Sequence, residues 1–298
     1  MKKRAVSVML TAAMVSAMLA GCGSKNAETQ SAADTTAESA ASGDETSADT
    51  QAADAETTDA ETTDASKTDG TFTVGFDQDF PPMGFVGDDG EFTGFDLEMA
   101  AEVAKRLNLM IAYQPIAWDA KDMELDAGTI DCIWNGFTMN GREDDYEWSK
   151  PYMKNNQVFV VRGDSDINSE ADLAGKNVEV QTDASAEAAL NDNSELTSTF
   201  GILTPVADYN TAFMDLESGA VDAIAMDDVV ASYQITSRKA DFKVLDDVIA
   251  AEEYGIGFKK GNTGLRDKVQ ATLEEMAADG TAAKISEKWF GKDITTIQ

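Results

Sequence analysis

The segment Leu125-Asp126-Ala127-Gly128-Thr129-Ile130-Asp131-Cys132-Ile133 recurs 91 residues later as Leu216-Glu217-Ser218-Gly219-Ala220-Val221-Asp222-Ala223-Ile224. Each copy reads as the end of a helix, a Gly that caps it, and a strand. One recurrence at that offset suits two similar α/β lobes rather than a solenoid. Each copy then runs into polar residues expected just past its strand, Asn135-Gly136-Phe137-Thr138 in one and Asp227-Asp228 in the other. Ligands of open α/β sheets sit at the carboxyl ends of strands, so two lobes presenting such ends to each other form a cleft.

The rest of the chain from Thr71 supports this. Period-2 apolar runs at residues 71–76, 177–181, 221–226 and 254–258 predict strands. Thr93-Gly94-Phe95-Asp96 has the form of a capping box, followed by Phe95, Met99, Val103 and Leu107 on one helical face. Leu265, Val269, Leu273 and Met276 stripe a helix ending at Gly280, and a last short helix carries Ile285 and Trp289 and stops at Gly291. The alternation of strand and helix indicates an α/β fold with mostly parallel sheets.

Residues 22–70 differ in kind. Residues 23–70 contain twelve acids against Lys25 and Lys67, repeat Ala-Glu-Thr-Thr-Asp, and precede the first aromatic, Phe72. Such a stretch cannot bury enough apolar surface to offset its chain entropy and is expected to be a disordered tether. As a random coil it would reach about 35–40 Å. Ahead of it, Lys2-Lys3-Arg4 and an apolar run over residues 5–20 form an export signal, too short for a spanning helix. The signal (1–21) closes with Leu19-Ala20-Gly21-Cys22, which resembles the bacterial lipobox; that resemblance implies lipidation of Cys22 and, with two acyl chains, stable anchoring at the outer face of the cytoplasmic membrane.

Composition excludes several functions. The chain has no His, which removes imidazole bases and His-containing zinc sites, and no metal or cofactor is expected. Cys132 is the only Cys besides Cys22 and reads as a buried small apolar residue, without a disulfide partner in the chain. A net charge of -32 argues against binding nucleic acid.

Residues 71–298 resemble the polar amino acid family of solute-binding proteins that serve ABC importers. The resemblance rests on Val74-Gly75-Phe76-Asp77 with Phe80-Pro81-Pro82, Gly94-Phe95-Asp96-Leu97, Trp118, Asn135-Gly136-Phe137-Thr138 and Arg142. It continues through Ser149-Lys150-Pro151-Tyr152, Gly175-Lys176-Asn177-Val178, Gln181-Thr182-Asp183-Ala184-Ser185-Ala186 and Val221-Asp222-Ala223 with Asp227. Tyr254-Gly255-Ile256 and Lys288-Trp289-Phe290-Gly291 complete it, all in family order. It implies a two-lobed periplasmic-binding-protein-like fold with a hinge and an interlobe ligand cleft. Lobe 1 would comprise residues 71–159 and 254–298, and lobe 2 residues 160–253.

The same resemblance implies a site for a free amino acid. Arg142 would fork onto the carboxylate, helped by backbone N–H groups of Thr138 and of Ser185 at a helix start. Asp227, or its neighbour Asp228, would take the ammonium, with the Gly136 carbonyl and Thr138 hydroxyl accepting the remaining hydrogens. Asp77, Phe80, Trp118, Asn135 and Gln181 would line the side-chain pocket. Thr138 and Arg142 stand one residue closer than is usual in the family, and Asp183 stands where it often has Gly.

The ligand implied is a polar L-amino acid with an amide or basic side chain, or cystine. Asp77 offers only acceptors when ionised, and the acidic surface disfavours glutamate. The chain is expected to act as a monomer beside a separate ABC permease and ATPase. The alternatives are a dehydratase, with Asp77 or Asp183 as general acid, and a sensory ligand-binding module; the paired Arg142 and Asp227 favour zwitterion binding over the dehydratase chemistry.

Overall fold

The computed structural model describes residues 70–298. The expected signal, Cys22 and, apart from Gly70, the acidic tether lie outside the described residues. Among these the chain forms β1 (Thr71–Phe76), β2 (Asp79–Phe80), β3 (Gly84–Val86), β4 (Phe92–Thr93), α1 (Phe95–Arg106), β5 (Met110–Pro115), α2 (Lys121–Ala127), β6 (Cys132–Thr138), β7 (Glu147–Trp148) and β8 (Met153–Arg162). It continues through β9 (Asn177–Gln181), α3 (Ser185–Asp192), α4 (Ser194–Thr197), β10 (Ile202–Val206), α5 (Tyr209–Ser218), β11 (Ala223–Asp227), α6 (Asp228–Arg238), β12 (Phe242–Phe258), α7 (Thr263–Ala278) and α8 (Thr281–Phe290).

One hydrogen-bonded sheet runs through the molecule in the order β10-β9-β11-β8-β12-β6-β1-β5, with β7 added on β12. Its two ends are parallel: β5, β1 and β6 at one, β10, β9 and β11 at the other. Between them β8 and β12 pair antiparallel with each other and with β11 and β6. The molecule is thus two parallel α/β lobes bridged by two long strands. The central strands β6 and β11 are buried throughout, as parallel strands covered on both faces must be.

The internal repeat is the same structure twice. Gly128 and Gly219 both cap their helices in the left-handed conformation, at φ 72° and 79°, where a side chain would be strained. At the next strand's start, Asp131 accepts the Thr73 N–H (2.7 Å) and returns its own N–H to the Thr73 carbonyl. Asp222 does the same with Asn177, accepting at 2.9 Å. Each clamp fixes one crossover strand beside its parallel neighbour.

Other local expectations need correction. Thr93 and Asp96 form no capping box; α1 starts at Gly94 without a side-chain cap, because the Pro82 and Met83 carbonyls accept the Phe95 and Asp96 N–H groups. Residues 135–138 do not follow β6 but end it, and Asp227 ends β11. The strand expected at 254–258 is the last part of β12, whose 17 residues include Lys243, Asp246, Asp247, Glu252 and Glu253. Those charges hide its strand pattern because half of it bridges the lobes rather than entering a core. The apolar stripes of α1 and α7 are buried as expected, except that Leu107 caps α1.

Candidate functional site

Gly136 is the irregular point from which the site is built. At φ 59° it occupies the left-handed region, and the register between β6 and β12 shifts opposite it. Its N–H donates to Asp96 Oδ2 (2.6 Å), which also accepts the Tyr152 hydroxyl (2.9 Å). Asp96 is fully buried, and burial pushes its carboxyl up to about 7. The side chain expected to cap a helix instead pins the bend that ends in Thr138.

Arg142 follows one turn later. Its guanidinium lies over the Phe137 ring (5.3 Å), which is packed among Trp118, Tyr146 and Trp148. Its Nη2 donates to the Asp183 carbonyl (3.2 Å) of the opposite lobe, and Nη1 to the Thr138 carbonyl (3.4 Å). Thr138 Oγ1 meets Ser185 Oγ (3.1 Å) across the cleft. Ser185 opens α3, whose preceding residue, Ala184, provides no side-chain cap. The first N–H groups of such a helix have no intrahelical acceptor and suit an anion.

Asp227 lies opposite, 3% exposed at the end of β11. It accepts Asn155 Nδ2 (3.0 Å), Gln157 Nε2 (2.9 Å) and the Tyr254 hydroxyl. Burial first, and then the Glu252 carboxylate, push Asp227 well above the usual carboxylate range. Its neighbour Asp228 starts α6, accepts Ser232 Oγ (3.4 Å) and lines a different cavity.

Phe80, Trp118, Gly136, Thr138 and Arg142 from one lobe, with Gln181, Ser185 and Asp227 from the other, close on a space of only about 10 Å³. That barely admits one water, so nothing larger fits between the lobes as they stand. Next to it, sharing Trp118, lies a cavity of about 490 Å³ lined by Asp77, Asp79, Asp119, Asp208 and the Pro115–Trp118 turn residues Ile116 and Ala117. Asp77 is bound across the cleft by Gln181 Nε2 (2.6 Å) and accepts the Asp79 N–H (2.8 Å); burial raises it to about 6. Asn135 lines neither cavity: its Oδ1 points at the Gly84 backbone, where an added Cβ would lie 2.7 Å away.

Sequence reasoning missed four participants. Lys121, 1% exposed, pairs with the Asp183 carboxylate across the cleft and lies 5.4 Å from the Trp118 ring centroid. Asn155, Gln157 and Glu252, on the two bridging strands, surround Asp227. Their only signal was a polar residue recurring at every second position of an otherwise strand-like run, Asn155 and Gln157 in β8.

The profile of the bacterial extracellular solute-binding proteins, family 3, matches residues 72–292. The chain is 34% identical over 229 residues to the L-cystine-binding protein TcyJ of Escherichia coli (strain K12), covering 76% of this chain and 84% of that protein. It is 32% identical over 227 residues to the L-cystine-binding protein TcyA of Bacillus subtilis (strain 168), covering 75% and 82%. Its fold matches that of an ABC uptake transporter substrate binding protein from Streptococcus pneumoniae with bound histidine at a TM-score of 0.74 and 34% identity, covering 76% and 95%.

Proposed function

The chain belongs to the bacterial extracellular solute-binding proteins, family 3, and we propose that it captures a polar L-amino acid between its lobes and delivers it to an ABC importer. It is a binding protein rather than an enzyme. The observation that carries the reading is the convergence of two opposite charges across one cleft, Arg142 with the α3 start at one end and Asp227 at the other. They match the carboxylate and ammonium of a free amino acid. Ligand groups satisfied by both lobes favour the closed form, up to the ligand's differential affinity for the two forms.

The side chain would pass Trp118 and Gln181 toward the 490 Å³ cavity. Its aspartates suit an amide or a cation and repel a carboxylate standing alone. Cystine has specific support: the cavity has room for a long ligand, its aspartates offer acceptors to the far ammonium, and two relatives are named for cystine. Upstream, residues 1–21 would direct export, lipidated Cys22 would anchor the protein outside the membrane, and residues 23–70 would tether a monomer near its permease.

Thermal shift against the common L-amino acids, ornithine and cystine tests the assignment. A ligand at 100 times its Kd adds about 2.7 kcal/mol of stability. Glutamine, arginine, lysine or cystine should stabilise the protein and outcompete glutamate and leucine; tighter binding of either of the latter overturns the ligand class.

A further inference from the structure

Asp227 is not the only carboxylate at the ammonium end of the cleft. Glu252 of β12, 5% exposed, stands behind it. Asn155 Nδ2 donates to both acids, 3.0 Å to Asp227 Oδ1 and 2.7 Å to Glu252 Oε1. Gln157 Nε2 does the same at 2.9 and 2.8 Å, and also reaches Ser185 Oγ (2.9 Å), which lines the cleft. Among the described residues neither carboxylate has a Lys or Arg partner. Gln157 Oε1 and the Tyr209 hydroxyl, each on a fully buried residue beside this pair, have no hydrogen-bond partner.

The Glu252 carboxylate behind Asp227 makes ionising Asp227 costly, because only neutral donors, Asn155, Gln157 and the Tyr254 hydroxyl, hold it and no Lys or Arg among the described residues compensates the pair. A cation placed on Asp227 removes that penalty. Resting on the amino acid reading above, we propose that Asp227 and Glu252 act as one ammonium-receiving pair, and that the ligand's arrival expels a proton from it. The Asp227 O–H bond breaks, its electron pair stays on the carboxylate, the α-ammonium keeps its three hydrogens, and the proton passes to water.

The exit is behind the hinge. Asn155 and Glu252 line a cavity of about 400 Å³ together with Lys154, Asp228 and Glu253, and it shares no lining residue with the cleft. Asn155 and Glu252, which contact Asp227's surroundings, thus offer a route to solvent that does not cross the cleft. The other ionisable groups around the pair are Tyr254 beside Asp227, Tyr209 from α5, Asp77 beyond Tyr209, and Arg142 across the cleft. Burial pushes both tyrosines well up, which leaves them neutral over the pH range concerned.

Isothermal titration of the full chain with L-arginine and with L-cystine, near pH 6.5 in buffers of different ionisation enthalpy, tests the pair. Both ligands are fully ammonium-bearing there, so a released proton comes from the protein. Wild type should release up to about one proton per ligand bound. Glu252→Gln keeps an acceptor oxygen for Asn155 and Gln157 but removes the second charge; its release should shrink and its affinity optimum should move to lower pH. Binding heat without buffer dependence in wild type overturns the pair alone, as does a folded Glu252→Gln with the wild-type pH profile. No binding of any amino acid in the thermal-shift panel overturns the amino acid reading, and the pair with it.

Discussion

Lys121 of one lobe is ion-paired with Asp183 of the other, beside the ligand cleft and against the Trp118 ring. The lysine is almost wholly buried, while the Asp183 side chain is about half exposed (49%) and its backbone is left-handed (φ 59°). The contact holds the lobes together without any ligand atom.

Asp183→Gly therefore removes the latch without straining the backbone, since Gly adopts that conformation freely. Only the Asp183 end of the pair is exposed and its loss leaves the buried Lys121 unpaired, so amino acid affinity should fall by at least about fivefold, or ~1 kcal/mol. The amino acid-free protein should show a larger radius of gyration by small-angle scattering. Unchanged scattering and unchanged affinity would rule the latch out.

Arg142→Ala should weaken amino acid binding by about 100-fold or more, because a charged, bidentate-capable contact is lost and a carboxylate is left unpaired. Asp227→Asn should cost at least about tenfold by the same reasoning, whereas Asp228→Asn should be nearly silent. Titration calorimetry of the three variants separates them. Wild-type affinity in Arg142→Ala would sink the carboxylate assignment.

The repeat, the strand and helix periods and the linear motifs were enough to read two α/β lobes and a cleft. Arg142 and Asp227 were read from the family resemblance, since Arg142 by itself looks like a surface Arg beside Glu143 and Asp144, and the structure brings both, with Ser185 at a helix start, to the cleft. Asn155, Gln157 and Glu252 were not legible, because their roles depend on pairing between strands nearly 100 residues apart, as Glu252 and Asn155 are, and Lys121 was not, because its partner Asp183 lies 62 residues away in the other lobe. Asp96 was misread for a related reason. Its spacing fits a cap, but only the packed loop at Pro82 and Met83 shows that the cap is not needed.

Asp96 makes stability depend on pH in a known direction. Its carboxyl is raised to about 7 by burial, so the folded state binds a proton that the unfolded state has already lost above the ordinary carboxylate range. Its favourable contribution is complete below that range and is lost as pH rises through 7. Asp96→Asn keeps an acceptor for Gly136 while removing the titration. Its melting temperature relative to wild type should rise from pH 5 and level off above about pH 7, by an amount on the order of a few kcal/mol in stability terms. A difference independent of pH would show that Asp96 does not titrate in the fold.

Replacing Cys22 with Ser should prevent lipid attachment if the Leu19-Ala20-Gly21-Cys22 segment is read as proposed. The variant should then appear in detergent-free soluble fractions or in the medium, checked by fractionation and mass spectrometry of the mature N-terminus. A processed Cys22→Ser protein that still sediments with membranes would remove the anchor.

The twin Asp131–Thr73 and Asp222–Asn177 clamps each close inside a single lobe, whereas the Thr138–Ser185, Gln181–Asp77 and Lys121–Asp183 contacts run between lobes. Parting the lobes thus severs the second set, with Arg142–Asp183 and Asn210–Asp79, and leaves both clamps whole. Each half behaves as a stiff plate on a shared pair of leaf springs, β8 and β12, whose register slips near Val248 supply the compliance. Opening and closing then draw on contacts outside either lobe's own core, so capture and release need not loosen the packing that keeps each plate folded.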